Sequence, residues 1–475
     1  MDRIKTDVCI IGAGSGGLSI AAGASQMGAS VVLLEGHKMG GDCLNYGCVP
    51  SKALIAAGKQ AFAMGHTGDL GVKAVKVNVD FAAAKDHVHR VIKTIEPMDS
   101  QERFEGFGVN VIREFGKFIS PTEVQAGNTI IQARRFIVAT GSGPFVPPIP
   151  GLEGVDVFTN ENIFDLRDRP KHLIVVGGGP IGMEMAQAHL RLGSKVTVIE
   201  AAKAMGKDDP EMAAIVLDRL RAEGVEIIED AQVNKVSGSK GYYAKVVVHT
   251  PLGEFTGSHL LMAVGRKVNV ENLNLDKANV KWNRGGVEVG ANLRSASNKK
   301  VYAVGDAAGG LQFTHVAGYH AGVVIRSILL GLPSKQRTDH IPWATYTDPE
   351  LAQVGLTEAQ AKEKFGGNVE VVRFPYDEND RAIAEGKITG LIKVMVFKGK
   401  PVGASIVGAM AGELIGMWAM AIANKMKMSA IAATVLPYPT VSEINKRAAS
   451  AYFAPKLFES PIVKRTVGFV QRWLP

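Results

Sequence analysis

Apolar residues in this chain fall into short unbroken runs closed by glycine, more often than into strict alternation. Residues 6–11 form one such run and read as a strand buried on both faces, the parallel-sheet type. The run feeds Gly12-Ala13-Gly14-Ser15-Gly16-Gly17, then a helix of small residues, then a second apolar strand over residues 30–34 that ends at Glu35. The same order returns later: a strand at 172–176, the turn Gly177-Gly178-Gly179-Pro180-Ile181-Gly182, a helix over 183–192, and a strand over 195–199 ending at Glu200. Each acid stands 18 positions after the third glycine of its own turn, Gly17 or Gly182. Glycines at this spacing let a pyrophosphate approach the backbone at a helix N-terminus, and the acid takes a ribose hydroxyl pair. Gly12, Gly14, Gly17 and Glu35 are therefore expected at one dinucleotide, and Gly177, Gly179, Gly182 and Glu200 at another. Two such sites imply two dinucleotides with electrons passing between them. The alternative, one copy being a degenerate duplicate, has both complete fingerprints against it.

Between the copies the pattern predicts a helical region over residues 53–104, a β-rich patch, and the run 136–142, which contains Thr140 and Gly141. A proline-rich segment at 144–151 reads as a linker. After the second copy come a strand over 260–264 followed by Gly265 and Arg266, and a buried strand at 301–306 that delivers Asp306 into a turn at Ala307. From residue 341 the pattern changes to antiparallel strands (391–397, 401–407) and helices (413–426, 444–451). The expected fold is α/β, with two Rossmann-like dinucleotide-binding domains (1–150 with 270–340, and 151–269) and a C-terminal α+β domain (341–475).

Composition narrows the class. The chain has 475 residues, 46% hydrophobic and 21% charged, enough for two or three domains with their own cores. No 18-residue apolar run is present, and the first strand begins within a few residues of Met1, which leaves no room for a signal peptide. With three cysteines the chain is not a disulfide-stapled secreted protein, and a reducing cytoplasmic compartment is expected. The net charge of +8 is spread out, with no aromatic-interleaved basic motif, so nucleic acid is not an expected partner.

The candidate chemistry lies in Gly40-Gly41-Asp42-Cys43-Leu44-Asn45-Tyr46-Gly47-Cys48-Val49-Pro50-Ser51-Lys52. Two cysteines stand five positions apart at the mouth of a helix that Pro50 and Ser51 are expected to start, with Lys52 a turn further on. A helix N-terminus and a nearby cation both favour thiolates, so these cysteines should be reactive. A bridge across so short a loop adds little stability, and a bridge made to open and close explains it better. The other readings are half a metal site or two buried thiols. No second Cys/His cluster supports the first of these, and no metal is expected.

In this set of motifs the chain resembles the flavin-dependent pyridine nucleotide–disulfide oxidoreductases, the family of dihydrolipoamide dehydrogenase, glutathione reductase and mercuric reductase. The cysteine motif, both glycine fingerprints, Ala139-Thr140-Gly141 and Gly305-Asp306 all fall in family order over nearly the whole length. The resemblance implies FAD on the first unit and NAD(P) on the second. It also implies a homodimer whose third domain completes the partner's active site. In that reading NADH reduces FAD, and FAD reduces a Cys43–Cys48 disulfide. Cys48 is the charge-transfer thiol beside the flavin, and Cys43 exchanges with substrate. Asp306 binds the ribityl–pyrophosphate region, and Lys52 pairs with Glu184 beside the flavin. Gly41, Thr140, Gly141, Gly265, Arg266 and Ala307 join the cofactor-contacting set. From composition alone Glu184 is an ordinary surface glutamate. Glu200 favours NADH over NADPH, because a carboxylate accepts from a ribose diol and repels a phosphate; the one cation nearby in sequence is Lys203.

The chain departs from the family where substrate chemistry occurs. Dihydrolipoamide dehydrogenase and glutathione reductase carry a histidine before Pro-Thr, with a glutamate partner five residues on. Here Tyr438 stands in the histidine's place, with Glu443 in the glutamate's, and the last histidine of the chain is His340. A phenol with pKa near 10 is a poor base at neutral pH but can donate a proton. Glu443 has an alternative reading as the end of a capping box begun by Thr440. Tyrosine here, and Gln312-Phe313 before His315, are similar to mercuric reductase, yet the chain has neither that branch's C-terminal cysteine pair nor its N-terminal metal-binding domain. His315 is a candidate replacement acid/base, with a structural role as its alternative. Dihydrolipoamide-dehydrogenase-like chemistry on a small disulfide, a dithiol or a lipoyl-bearing protein is the first expectation. A metal- or quinone-reducing enzyme is the second, and a slow redox sensor the third.

One stretch stands apart from this chemistry. After Ser460-Pro461, Val463, Val467, Val470 and Leu474 share a helical face, Lys464, Arg465 and Arg472 are basic, and Trp473 lies near the end. That pattern suits a membrane surface or a partner; packing on the chain's own dimer is the alternative.

Overall fold

The first apolar run becomes the strand Asp2–Ile11, which lies inside a seven-stranded sheet. In the computed structural model, which describes residues 1–68, 70–241 and 244–473, Val31–Leu34 pairs with it on one side and Thr129–Val138 on the other, all parallel. Val301–Ala303 joins Thr129–Val138 in parallel, and Asn110–Ile112 extends the opposite edge. The C-terminal ends of these strands, Ile11, Leu34, Val138 and Ala303, therefore meet at one edge. Ligands of open parallel sheets collect at that edge. The first glycine turn, Glu35, Thr140 and Asp306 all emerge there.

The second glycine unit builds a five-stranded parallel sheet. His172–Val176 runs between Lys195–Ile199 and His259–Met262, with Glu226–Ile228 and Val157–Phe158 at the edges. The helix Pro180–Arg191 follows its glycine turn and packs against Cys48–Gly65, which brings the cysteine helix against both dinucleotide units. The third unit is a five-stranded antiparallel sheet in the order Pro342–Thr345, Glu350–Gly355, Lys400–Gly408, Leu391–Phe397, Val369–Pro375. The helix Ala411–Ala423 covers it, and the buried Trp418 donates its Nε1–H to Asn445 Oδ1 at 2.7 Å. The fold is thus α/β, with two dinucleotide-binding units and a C-terminal α+β unit. A buried Lys393 ties the second unit to the third, its Nζ lying within 2.9 Å of Asp209, Glu211 and Glu358.

Element ends differ from the sequence reading where local geometry overrides propensity. The cysteine helix starts at Cys48, two residues before the proline expected to open it, with Gly47 at the cap. Cys43 lies on a separate short helix, Gly41–Asn45, and the helical region 53–104 is broken into Cys48–Gly65, Phe81–Ile95 and Gln101–Gly106. The strand read over 260–264 stops at Met262, the helix read over 413–426 is Ala411–Ala423, and that read over 444–451 begins one residue earlier, at Glu443. Among the described residues no helix is long and apolar enough to cross a membrane.

Candidate active site

The two glycine turns show what each glycine is for. Gly12 and Gly177 hold φ of +108° and +113°, and a Cβ on either would lie 2.4 Å from a backbone carbonyl, Ala139 O or Ala263 O. A Cβ on Gly17 would come 1.9 Å from Gly12 O, and one on Gly182 2.0 Å from Gly177 O, so the third glycine sets the contact of helix on strand. The middle glycines are different. A Cβ on Gly179 would meet nothing within 4 Å, and one on Gly14 only the Cα of Gly41, at 3.9 Å. Open space over a bare helix N-terminus is what a pyrophosphate requires, so both turns fit a dinucleotide.

The two acids behave alike. Glu35 accepts from Ala13 N (2.8 Å) and His37 N (2.7 Å); Glu200 accepts from Gly178 N (2.6 Å) and Ala202 N (2.9 Å). Each carboxylate thus braces its own glycine turn. Each oxygen keeps a second lone pair for a ribose hydroxyl. Lys203, the cation near Glu200 in sequence, pairs with Asp230 at 2.6 Å on the surface.

A polar chain runs from the strand-end edge of the first sheet to the cysteine loop. Asp306, which burial pushes above the usual carboxylate pKa against the bond from Ser142, accepts from Ser142 Oγ at 2.5 Å. Arg266 donates from Nε to that same Ser142 Oγ (2.7 Å) and from Nη2 to Ser142 O (2.7 Å), and pairs with Asp42 at 3.0 Å. Asn160 donates to Asp42 Oδ1 at 3.0 Å and to Tyr46 O at 3.2 Å. Arg266, expected among the cofactor contacts, is thus a link between Asp306 and the residue preceding Cys43. Thr140 Oγ1 donates to Asn269 O, Ala307 is buried, and Gly141 and Gly265 take φ of +62° and +131° beside open space. A Cβ on Gly41 would stand 2.7 Å from the Cα of Gly14, so the cysteine loop sits directly on the first dinucleotide turn.

The cysteines are both free thiols in distinct surroundings. Cys48 is the first residue of its helix, where the helix dipole favours an anion. Its Sγ lies 3.3 Å from Thr314 Oγ1, at the start of the helix Thr314–Ile328. A hydrogen bond from Cys43, opposed by burial and aided by Thr314 and the Lys52 charge, brings the Cys48 pKa down to about 6. The same bond to Cys48, together with burial, pushes Cys43 far up. One proton is shared between two sulfurs, and at neutral pH Cys48 carries the charge. Lys52 Nζ lies 2.7 Å from Glu184 Oε2 and 4.5 Å above the Tyr346 ring. Glu184 is buried, at 5% exposure, and its other oxygen accepts from Tyr346 N at 2.9 Å. That single pair fastens the cysteine helix, the second glycine helix and the third unit together.

The third-unit residues lie elsewhere in the single chain. Tyr438 is 69% exposed and donates its hydroxyl to Asp380 Oδ2 at 2.9 Å, a bond that holds its pKa above the usual phenol value. Glu443 lies 3.5 Å from Arg447, and Thr440 donates to Pro437 O instead of capping, so no capping box forms with Glu443. His315 stacks on Phe313 and its Nε2 lies 2.7 Å from Pro342 O, whereas its neighbour Thr314 meets Cys48. Thr314, Asp42, Ser142, Asn160 and Tyr346 are the site residues that sequence reasoning missed. Asp42, Ser142 and Thr314 lay inside stretches already singled out; Asn160 and Tyr346 did not. Among the described residues no group of three or more His, Cys, Asp or Glu is placed to hold a metal ion.

Comparison with known proteins bears on this arrangement. The family model described as pyridine nucleotide-disulphide oxidoreductase matches residues 6–321, and the dimerisation domain of the same family matches residues 341–449. A mercuric reductase of Lysinibacillus sphaericus is 32% identical over 452 residues, covering 94% of this chain and 82% of that protein. A dihydrolipoyl dehydrogenase of Geobacillus stearothermophilus is 33% identical over 458 residues, 94% of this chain and 96% of the relative. Among solved structures, the Cu(II) complex of the HOCl-induced flavoprotein disulfide reductase RclA from Escherichia coli superposes with a TM-score of 0.83 at 28% identity, over 94% of this chain and 99% of that one.

Proposed function

The chain belongs to the pyridine nucleotide-disulphide oxidoreductases, and from that premise we propose that it is a homodimeric NADH-dependent enzyme exchanging electrons with a small disulfide, a dithiol or a lipoyl group through Cys43 and Cys48. FAD would be held by the Gly12–Gly17 turn, Glu35, Thr140 and Asp306 in residues 1–150 and 270–340. NADH would be held by the Gly177–Gly182 turn and Glu200 in residues 151–269. The dimer contact would be made by the C-terminal unit, within the part that matches the dimerisation domain. When bound, the two dinucleotides supply the two-electron couple that keeps the cysteines reduced.

The observation that carries the reading is the unequal pair of thiols. In disulfide reduction Cys43, once it has given up its proton, attacks one substrate sulfur and expels the other as a thiolate. The Cys48 thiolate then attacks Cys43 Sγ, which closes the Cys43–Cys48 disulfide and releases the second substrate thiolate. Two protons must reach the two leaving sulfurs. Thr314 and the Lys52 charge favour the Cys48 anion until it attacks; in the single chain Cys48 is the more exposed of the two residues and Cys43 is half-buried. Tyr438 of a second subunit, in the place where the family has a histidine, donates a proton to a leaving thiolate.

A second reading follows from Tyr438 itself. Asp380 holds the phenol protonated, so it cannot take a proton at neutral pH, and dithiol oxidation lacks its usual base. An acceptor that needs no such base, a metal ion or a quinone, suits this feature. Steady-state NADH oxidation against lipoamide, glutathione disulfide, mercuric and cupric ions and a quinone separates the readings. Turnover with lipoamide that requires both cysteines supports the first, and turnover confined to metal ions or quinones supports the second. Turnover with none of these acceptors contradicts both and favours a sensor.

A further inference from the structure

The helix Pro461–Trp473 takes no part in the site, and its surface is the least accounted for in the molecule. None of its residues is buried; Ile462, Phe469 and Trp473 are 75%, 61% and 68% exposed. At 3.6 residues per turn, Phe469, Ile462, Trp473, Val470, Val463 and Val467 share an arc of about 160°, within which the one polar residue, Thr466, donates its hydroxyl to Ile462 O. The opposite arc carries Gln471, Lys464, Pro461, Arg472 and Arg465. The helix holds three basic residues and no acid. Gln471 and then Lys464 follow Val467 on one side of the apolar arc, and Arg465 borders Phe469 on the other. The face is wider than the Val463–Val467–Val470 stripe legible in the sequence, whose last member, Leu474, lies outside the described residues.

We propose that this helix lies in the headgroup region of an anionic membrane, its Ile462–Phe469–Trp473 face towards the acyl chains and Lys464, Arg465 and Arg472 among lipid phosphates. Two features select a lipid surface over a second copy of the chain. A broad apolar face with aromatic residues, interrupted only by Thr466 and flanked on both sides by cations, is the form of an interfacial helix, and long basic side chains can reach outward from it. Pairing of the same face between two copies would set cations against cations with no acid to offset them. The match to the family's dimerisation domain also ends at residue 449, before this helix begins. Leu457 and Phe458 are likewise exposed, on the preceding Ala454–Phe458 helix.

The test is co-sedimentation of the full-length, FAD-loaded enzyme with vesicles of phosphatidylcholine alone or mixed with phosphatidylglycerol. Binding to the anionic vesicles should exceed binding to neutral ones by about tenfold or more, since each cation near such a surface is worth about fivefold, and should fall with salt. Phe469→Glu, and separately the pair Lys464→Glu and Arg465→Glu, should each lower binding by about tenfold or more while leaving NADH oxidation with a soluble acceptor unchanged. Equal binding to both vesicle types, or variants that bind as wild type does, would overturn the proposal. So would a chain ending at Ser460 that has lost the dimer mass of the full-length protein, because the helix would then belong to the subunit interface.

Discussion

Lys52 Nζ and Glu184 Oε2 lie 2.7 Å apart although 132 positions separate them in sequence, and the pair joins the cysteine helix to the helix of the second glycine turn. Glu184 is buried and Lys52 about one-third exposed, so the carboxylate is the partner that suffers when the pair is broken. Lys52→Met should lower Tm, with a loss of roughly 2 kcal/mol after allowance for solvent at the lysine. It should also raise the Cys48 pKa, because a cation that favours the thiolate is gone. Thermal unfolding and a pH titration of the thiolate check the two effects. A variant with an unshifted thiolate would show that Lys52 serves only to hold the helices together.

In the proposed NADH site Glu200 would set the cofactor preference. NADH should exceed NADPH in kcat/KM, and Glu200→Arg should narrow or invert the ratio; a tenfold change needs only about 1.4 kcal/mol. Because Glu200 also accepts from Gly178 N and Ala202 N, this substitution loosens the turn and lowers both values. The ratio is therefore the quantity to read, and an equal preference in the wild type would count against the assignment.

In the proposed dimer Tyr438 would set the pH dependence. Its bond to Asp380 keeps the phenol protonated into the alkaline range, so dihydrolipoamide oxidation should be slow at pH 7 and climb as the substrate thiol ionises by itself. Tyr438→His places a group titrating near pH 6.5 there and should raise the rate at pH 7 and flatten the climb. Tyr438→Phe should lower disulfide reduction but not quinone reduction. If wild type and both variants share one pH–rate profile, another group moves the proton.

Much of this arrangement is legible in the sequence because it is local. The two glycine turns, their acids Glu35 and Glu200, and the cysteine motif are each complete within a few tens of residues, and period and spacing reveal them. Lys52 with Glu184 becomes legible only through family resemblance, since nothing near Glu184 marks it as buried. Thr314 beside Cys48, Asp42 on Arg266 and Tyr346 on Glu184 are contacts between distant segments, invisible to any local pattern. Pro50 is a good opening residue, so the local pattern places the start of the cysteine helix there. Gly47 instead lets the chain break and restart two residues sooner, which puts Cys48 itself at the helix N-terminus. The tail helix was read too narrowly, from valines at spacings of three and four, without Ile462 and Phe469 on the same face.

The account rests on Cys48 being the thiolate and Cys43 the exchanging thiol, and visible absorbance of the FAD-loaded serine variants tests that directly. Cys43→Ser should show a long-wavelength charge-transfer band without added reductant, because the serine hydroxyl still donates to Cys48. That band should appear as pH rises through about 6 and persist above it, the sign required of a depressed thiol pKa. Cys48→Ser should show no such band at any pH. A band in Cys48→Ser and none in Cys43→Ser would contradict the assignment and exchange the roles of the two sulfurs.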